Sequence, residues 1–539
     1  MIYDVVIVGA GMSGLTAAAY LSKAGYRVLL CEKEKKVGGL VNSFDHHGFT
    51  FDGGIRAIEN SGIVFPMLKE LGLNIDFAGN AVSIGIGHEV IRIDSKESLK
   101  DYQMLLTHHF PAAASDIERI IQEIKRIMHY MDVLYGIDNP LFLDLKKHKK
   151  YLFKTMFPWL FKYLLTIPKI NRLNQPVDEY LQNFTRNQAL IDLIAQHFFQ
   201  KTPTFFALSY FSLYLDYRYP RGGTGTIPET MEGFILDHEG VINKETEICF
   251  VDPEKKQVKD SKGNEYKYKK LIWSSDLKKL YNSIDSNLMK NHDVLQEFKA
   301  KKKAMADKRG GDSILTVYLT IDLDKSYFEG ICTEHFFYTP SIQGLQTLKM
   351  NEIEIKSSEN NEGRYTEDKE AILQWIKSFY ELTTFEISCP VMRDERMAPE
   401  GKTGLIISTL MEYSLVKHIS QMGWYDEFKK ISEDWIINIL DGTIFKNMKS
   451  KVMDKFSSTP LTLEKITGNS DGAITGWAFT NRMIPVENRL PKVARSIFTP
   501  VPDVFQAGQW SFSPSGLPIA ILTGKLAADE IIKQLEKKK

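Results

Sequence analysis

Two kinds of hydrophobic pattern alternate along the chain, and each predicts its own kind of element. Short unbroken apolar runs, such as residues 5–8 and 28–31, suit buried parallel strands. In residues 112–135, isoleucines recur at helical spacing and predict an amphipathic helix. Its apolar stripe consists of Ile117, Ile120, Ile121, Ile124 and Ile127.

Further elements follow from the same reasoning. Residues 176–200 are predicted to be another helical stretch, and residues 312–323 and 403–413 to be strands of a mixed sheet. Residues 351–368 are polar and acidic and predict a surface loop. No internal repeat is visible.

The first glycine-rich turn lies between the first two apolar runs. Gly9 allows a tight turn, Gly11 leaves the backbone open to a pyrophosphate, and Gly14 lets the next helix pack closely. The helix N-terminus then offers free N–H groups to the phosphates. Glu32 follows the second strand, where we expect it to accept hydrogen bonds from both ribose hydroxyls and to disfavour the 2′-phosphate of NADP. The unit predicts an ADP-binding site, the alternative being an ordinary glycine-rich turn.

Two further segments favour a flavin over a nicotinamide dinucleotide. Glycines recur at Gly38-Gly39 and Gly53-Gly54, where a ribityl chain and ring would lie against the backbone. Near the end of the chain, residues 504–506 predict a buried strand, and Gly516 opens a helix running to about residue 533. The N-terminus of that helix would stabilise negative charge on a reduced flavin.

The chain resembles the phytoene desaturase, carotenoid isomerase and retinol saturase family of FAD-dependent oxidoreductases, which is related to the amine oxidases. Besides the N-terminal unit, the resemblance rests on residues 219–225, 241–251, 271–276, 394–402 and 458–462. Two positions depart from amine oxidase relatives. Leu40 stands where many have Arg, and Gln509 stands where some have an acid.

The resemblance implies an α/β fold with a discontinuous Rossmann-like FAD-binding domain and a substrate domain of mixed sheet and helices. We expect the FAD domain at 1–75, 215–285 and 455–539, a helical cover at 76–214, and the substrate sheet at 286–454. The residues predicted to contact FAD are Gly9, Ala10, Gly11, Met12, Ser13, Gly14, Glu32, Lys33, Gly38, Gly39, Leu40, Gly53, Gly54, Ile55, Ile248, Gly508, Gln509, Gly516, Leu517 and Pro518.

Composition narrows the class of protein. With 539 residues and a formal net charge of +0, the chain is too long for one simple core and has no global attraction to nucleic acid. The four cysteines have neither metal-ligand nor CxxC spacing, so we expect reduced, mostly buried thiols, including Cys31 and Cys249, in a cytoplasmic protein. No apolar run is long enough to span a bilayer, and the chain opens directly with a strand, so we expect no signal peptide.

Residues 146–172 interleave lysines with aromatics and leucines. The pattern is typical of a helix in the membrane interface, with Trp159 at headgroup depth and Pro158 dividing the segment into two pieces. It fits equally a helical cover packed on the substrate domain with solvated lysines. If lipid is bound there, the protein has a peripheral position on the inner face of the membrane.

The sequence does not identify catalytic residues. Arg56 and Glu59 follow the second glycine turn, and His108-His109 and His197 are candidate acids or bases, although a structural role is the more common one for each. No metal site is predicted. An aromatic run from Phe198 to Tyr214 predicts an apolar channel leading from 146–172 to the flavin.

The resemblance implies desaturation, saturation or isomerisation of a polyene or another apolar substrate at the flavin N5. Reoxidation or reduction would use an external quinone, oxygen or NAD(P)H, because no second dinucleotide motif is present. Two alternatives remain open: an amine oxidase-like dehydrogenase of a polar substrate, and a non-enzymatic prenyl or lipid escort protein of the same fold. An escort protein would not need the intact pyrophosphate turn.

Overall fold

The computed structural model describes residues 2–143, 151–348, 350–355 and 364–537, and two large β-sheets organise this part of the chain. The strands are β1 Ile2–Val8, β2 Val28–Cys31, β3 Ser43–His46, β4 Phe49–Asp52, β5 Phe77–Gly79, β6 Val82–Ile86, β7 Glu89–Ile93, β8 Arg218–Pro220, β9 Val241–Asn243, β10 Ile248–Asp252, β11 Gln257–Asp260, β12 Glu265–Trp273, β13 Ser313–Ile321, β14 His335–Thr339, β15 Glu354–Ile355, β16 Arg364–Tyr365, β17 Phe385–Ser388, β18 Thr403–Met411, β19 Val452–Ser458 and β20 Val504–Gln506.

Helices cover both sheets. They are α1 Met12–Lys23, α2 Val64–Leu71, α3 Ser98–His109, α4 Ala114–Tyr135, α5 Phe157–Asn171, α6 Val177–Leu181, α7 Gln188–Ala195, α8 Thr204–Asp216, α9 Thr226–Asp237, α10 Leu277–Ser283, α11 His292–Ala306, α12 Lys325–Glu329, α13 Lys369–Leu382, α14 Tyr413–Gln421, α15 Tyr425–Gly442, α16 Pro460–Thr467 and α17 Leu517–Glu536. No helix in the described part of the chain is long and apolar enough to cross a bilayer.

The first sheet is the predicted Rossmann-like unit. Its strand order is β10-β11-β12-β1-β2-β9, with β20 paired to β12. The contacts of β1 with β2 and β12, and of β12 with β20, are parallel, whereas β10, β11 and β12 form an antiparallel meander. Segments far apart in sequence therefore build one sheet, and the expected α/β fold with a discontinuous dinucleotide domain is confirmed.

The helix α1 packs between the sheet and the C-terminal helix α17. The two helices approach each other closely, and this explains why small residues lie at their contact. A Cβ on Gly524 would lie 2.3 Å from the backbone oxygen of Ser13. Ala17, Ala18 and Ala19 are fully buried, and α1 ends at Lys23, two residues before Gly25 with φ +78°. The chain thus places the N-termini of α1 and α17 beside the same sheet edge.

The second sheet has the order β19-β13-β18-β17-β14-β6-β7. It is mixed, since β14 pairs with β6 in parallel and its other contacts are antiparallel. The strands β6 and β7 come from the predicted cover, and β19 crosses the predicted boundary at residue 455. Strand pairing, which a local pattern does not encode, decides where these segments lie.

The helical cover follows the predicted stripe in α4, whose five isoleucines are buried. The predicted stretch 176–200 is instead divided into α6 and α7, because the Asn187 side chain caps α7 by accepting from the Leu190 N–H at 3.2 Å. The predicted loop at 351–368 lies partly outside the described residues, and its ends form the hairpin of β15 and β16.

Two further expectations are wrong. Cys249 is exposed because it lies on the edge strand β10 with its side chain outward, whereas Cys31, Cys332 and Cys389 are buried; all four thiols are free. Pro158 does not divide its segment. A π-helical turn at Leu152–Met156 runs directly into α5, and Pro158 lies just after this turn within the continuous helix.

Candidate functional site

A cavity of about 1040 Å³ connects the two sheets. Its lining begins at the first glycine turn, follows the second glycine turn and the start of α17, and ends on one face of the second sheet. It is large enough to combine a dinucleotide site with a substrate site.

The first glycine turn has the geometry that a pyrophosphate needs. Gly9 has φ +95°, and a Cβ on Gly14 would lie 2.0 Å from the Gly9 backbone oxygen, so both positions require glycine. Gly11, in contrast, has an extended backbone, and a Cβ there would meet nothing within 4 Å. Gly11 therefore borders open space at the N-terminus of α1, where backbone N–H groups are unpaired.

Glu32 lies at the end of β2 and lines the same end of the cavity. One carboxylate oxygen accepts from the Ala10 N–H at 2.7 Å, and the other accepts from the Glu34 N–H at 3.0 Å. Burial raises the pKa of Glu32, while these two N–H groups oppose the rise. Each oxygen keeps a second lone pair, so the carboxylate is held in place and can still accept from a ribose.

The second glycine turn forms the next part of the wall. Gly38, Gly39, Leu40, Gly54 and Ile55 line the cavity. A Cβ on Gly54 would lie 2.0 Å from the Leu40 oxygen, which also accepts from the Ile55 N–H at 3.0 Å. The two backbone segments thus contact each other directly, and this contact requires a glycine at position 54.

The remaining predicted contacts divide into lining residues and supporting residues. Met12, Ser13, Lys33, Ile248, Gln509, Gly516 and Leu517 line the cavity. Ala10, Gly14, Gly53, Gly508 and Pro518 do not line it. Gly508 supports the turn, since its N–H donates to Thr523 Oγ1 at 2.9 Å and a Cβ on it would lie 2.7 Å from Ser13 Oγ. The open space beside Gly11 and the fixed Glu32 carboxylate fit the predicted dinucleotide.

Of the catalytic candidates, Arg56, Glu59 and His197 line the cavity. His108 and His109 do not; they lie at the end of α3 beside Glu89, with His108 Nδ1 2.8 Å from a Glu89 oxygen. Burial lowers the pKa of His197 to about 4, so its imidazole is neutral.

The second sheet carries a row of polar side chains that no sequence pattern predicted. Thr316, Ser408 and Glu386 are neighbours across β13, β18 and β17 and face the buried guanidinium of Arg56. Arg56 Nη1 donates to Glu386 Oε2 at 3.1 Å, and Nη2 donates to Ser408 Oγ at 2.6 Å. His335 Nε2 lies 3.1 Å from Glu386 Oε1, although the contact does not have hydrogen-bond geometry. In the sequence, the only sign of this row is that each of these strands carries polar residues within an otherwise apolar run.

This row has a fixed charge pattern. Burial would raise the pKa of Glu386, but Arg56 and His335 outweigh it and lower the pKa to about 2. Burial lowers the pKa of His335. The carboxylate and the guanidinium are therefore both charged and compensate each other.

The predicted aromatic channel is present in part. Phe198, Phe199, Phe206 and Tyr210 line the cavity, whereas Phe205, Phe211 and Tyr214 are buried in the core of the cover. Helix periodicity explains the division, since α8 turns only one face toward the cavity. The described residues of the segment 146–172 do not line the cavity, so the expected channel mouth is not among its walls.

The fold also assembles a cluster that no sequence spacing indicated. His46, His47 and Asp454 bring one ligand atom each within 4.8 Å of one another at the surface. His46 Nε2 already bonds Asp454 Oδ2 at 2.7 Å. These residues lie outside the cavity wall.

Known proteins resemble this chain in sequence. A family model for NAD(P)-binding Rossmann-like domains matches residues 7–71. The chain is 22% identical to 4,4′-diapophytoene desaturase (4,4′-diaponeurosporene-forming) of Staphylococcus aureus (strain COL), over 99% of both chains.

Solved structures share the fold over nearly the whole length. An oxidoreductase from Methanosarcina mazei has a TM-score of 0.60 at 13% identity and covers 98% of this chain and 99% of its own. Wild-type putrescine oxidase bound to putrescine has a TM-score of 0.58 at 14% identity, over 99% of both chains. At this identity the structural matches show the fold alone.

Proposed function

Since the chain is a phytoene desaturase-like oxidoreductase that depends on FAD, we propose that it desaturates, saturates or isomerises a polyene or another long apolar substrate. The cavity is the observation that carries the proposal. It joins the glycine turn to a wall of aromatic side chains, and the ion pair of Arg56 with Glu386 in this wall is internally neutral. The aromatic wall suits an apolar chain, and the Arg56 charge stays paired with Glu386 when such a chain is bound.

The residues that would hold the cofactor are those of the two glycine turns, Glu32 and the start of α17. Bound FAD would supply hydride transfer, which no amino-acid side chain can provide. The contributions of the chain are to bind the pyrophosphate at the α1 N-terminus, to keep the ribose at Glu32, and to align the substrate. Phe198, Phe206 and Tyr210 would exclude water from the substrate and restrict its position.

We further propose that the helical segment 151–171 lies on a membrane surface. Phe153, Phe157, Phe161, Leu164 and Leu165 are exposed and share one helical stripe, with Phe153 71% and Phe161 68% accessible. Trp159 is not on that stripe, because its indole N–H points inward to the Val133 backbone oxygen. The stripe, with Lys154 and Lys162 beside it, has the composition of an interfacial helix that could admit an apolar substrate from lipid.

The test combines a spectrum with an activity assay. Purified protein should show bound FAD in its absorption spectrum, and should convert 4,4′-diapophytoene supplied in liposomes to a product with altered polyene absorbance. Quinone, oxygen and NAD(P)H are supplied separately to identify the electron partner. Protein that lacks FAD would contradict the enzymatic proposal and favour an escort protein.

A second candidate, an amine oxidase-like dehydrogenase of a polar substrate, is favoured by Glu386. Its side chain lines the cavity, is 32% exposed and is negatively charged at neutral pH, which would suit a cationic group. Putrescine and other amines, added to the same flavoprotein, test this alternative. Rapid bleaching of the flavin by an amine, with no effect of the polyene, would replace the first proposal by the second.

A further inference from the structure

Glu59 is another carboxyl group in the cavity wall, and its surroundings differ from those of Glu386. Among the described residues, the Glu59 side chain makes no hydrogen bond and no ion pair, whereas Glu386 is bonded to Arg56. Glu59 lines the cavity, and its Oε1 lies 3.8 Å from the point where a Cβ on Gly516 would stand. It therefore borders the start of α17.

We propose that Glu59 is the group that exchanges a proton with the substrate, while the pair of Arg56 and Glu386 remains charged and fixed. The inference rests on the proposed function. Its basis is the unpaired carboxyl that faces the cavity next to the predicted position of the flavin ring.

The groups around Glu59 determine when it is charged. From the end of α8 and the residues after it, Asp216, Tyr210 and Tyr217 face it, and Tyr135 faces it from α4. Burial, and then the negative charge of Asp216, raise the pKa of Glu59 to about 7. A carboxyl with this pKa can both release and accept a proton near neutral pH.

The other titratable groups of the cavity are less suited to the task. The carboxylate of Glu386 is too weak a base, because its pKa is about 2. His197 is neutral, with a pKa lowered to about 4. Burial raises the pKa of Tyr210 and Tyr217 far above neutrality, so neither phenol is an effective acid. Two carboxyl groups with widely separated pKa values commonly divide the roles of proton exchange and charge stabilisation.

The proposed proton transfer gives a balanced reaction for both saturation and desaturation. In saturation, the O–H bond of Glu59 breaks and its proton forms a C–H bond at one carbon of the double bond, while hydride from reduced FAD reaches the other carbon. In desaturation, a C–H bond breaks, the carboxylate of Glu59 takes the proton, and the electron pair forms the new C=C bond as hydride leaves the neighbouring carbon for oxidised FAD. An external donor or acceptor, such as NAD(P)H or a quinone, restores the cofactor.

The first experiment needs no substrate. Infrared difference spectra of the flavin-containing protein, recorded across pH 5 to 9, should show a carboxyl C=O band that disappears with a midpoint near pH 7. The band should be absent in Glu59→Gln and shifted in Glu59→Asp. The surface variant Glu89→Gln is the matched control and should retain it. Equal flavin content and a cooperative thermal unfolding transition establish that each variant is folded.

The second experiment uses the polyene of the assay above in D₂O. Wild-type protein should exchange deuterium with the substrate carbon, Glu59→Gln should lose this exchange by at least tenfold, and Glu59→Asp should restore part of it. If Glu59→Gln keeps both the band and the exchange while flavin is bound, the inference is wrong and the proposed function stands. If the wild-type protein contains no flavin, the proposed function fails and the inference fails with it.

Discussion

Gly11 and Gly14 lie three residues apart in the same turn, but we expect replacement by alanine to have opposite consequences. A Cβ on Gly11 meets nothing within 4 Å, and its φ of −70° suits any residue. A Cβ on Gly14 would lie 2.0 Å from the Gly9 oxygen and 2.6 Å from Ser274 Oγ. Gly11→Ala should therefore impair cofactor binding alone, and Gly14→Ala should impair folding.

The magnitudes follow from these contacts. For the protein without cofactor, Gly11→Ala gains about 0.4–1 kcal/mol from the less flexible unfolded chain and loses a similar amount as a poorer helix N-cap, so the free energy of unfolding should change by less than about 1 kcal/mol. The added methyl group displaces the pyrophosphate from N–H groups that contribute about 1.5–3 kcal/mol each, so FAD affinity should fall about tenfold to a hundredfold. Gly14→Ala should cost about 3 kcal/mol, because backbone atoms form the obstacle.

Urea unfolding of the cofactor-free proteins measures the first quantity, and titration with FAD measures the second. The informative result is the pair of values, because a general defect of the turn would reduce stability and affinity together. A Gly11→Ala protein that binds FAD as tightly as the wild type, or that loses more than about 2 kcal/mol without cofactor, would refute the assignment of the open space to the pyrophosphate.

Glu386→Ala should lower the free energy of unfolding by about 3 kcal/mol, because it leaves the buried Arg56 cation unpaired. The pKa of Glu386 is lowered from 4.5 to about 2, so the stabilisation by its carboxylate is present above pH 4.5 and is lost as the pH falls toward 2. Urea unfolding of wild type and variant measures the difference across this pH range, and equal stabilities at all these pH values would contradict the prediction. Glu59 has the opposite shift, so Glu59→Gln should stabilise the cofactor-free protein by roughly 2 kcal/mol above pH 7 and have little effect at pH 4, which thermal unfolding at both pH values measures. Replacing Phe161 and Leu164 by serine should reduce sedimentation with anionic vesicles severalfold at unchanged melting temperature, and equal sedimentation would leave only a structural role for the helix.

Local spacing determined the part of the cavity that begins at the first glycine turn. The strand, the glycine turn and the helix at its start depend on neighbouring residues, because conformational freedom at Gly9 and close packing at Gly14 are requirements that act within one turn. The same holds for the helix that begins after Gly516 and for the buried stripe of α4. In these elements, the residues that contact each other are also close together in the sequence.

The part of the cavity that borders the second sheet was decided by tertiary structure. Arg56 and Glu386 are 330 positions apart, and they meet because β17 lies between β18 and β14 in the second sheet. Nothing in the residues next to Glu386 indicates that its partner is an arginine after the second glycine turn. The exposure of Cys249 depends in the same way on the edge position of β10.

The physical reason is the range of the interactions involved. Turn geometry, helix periodicity and capping act over a few residues and leave a pattern that the sequence displays. The order of strands in a sheet, the charge state of Glu59 and the shape of the cavity beside it depend on packing between segments distant in the chain, which only the folded structure defines.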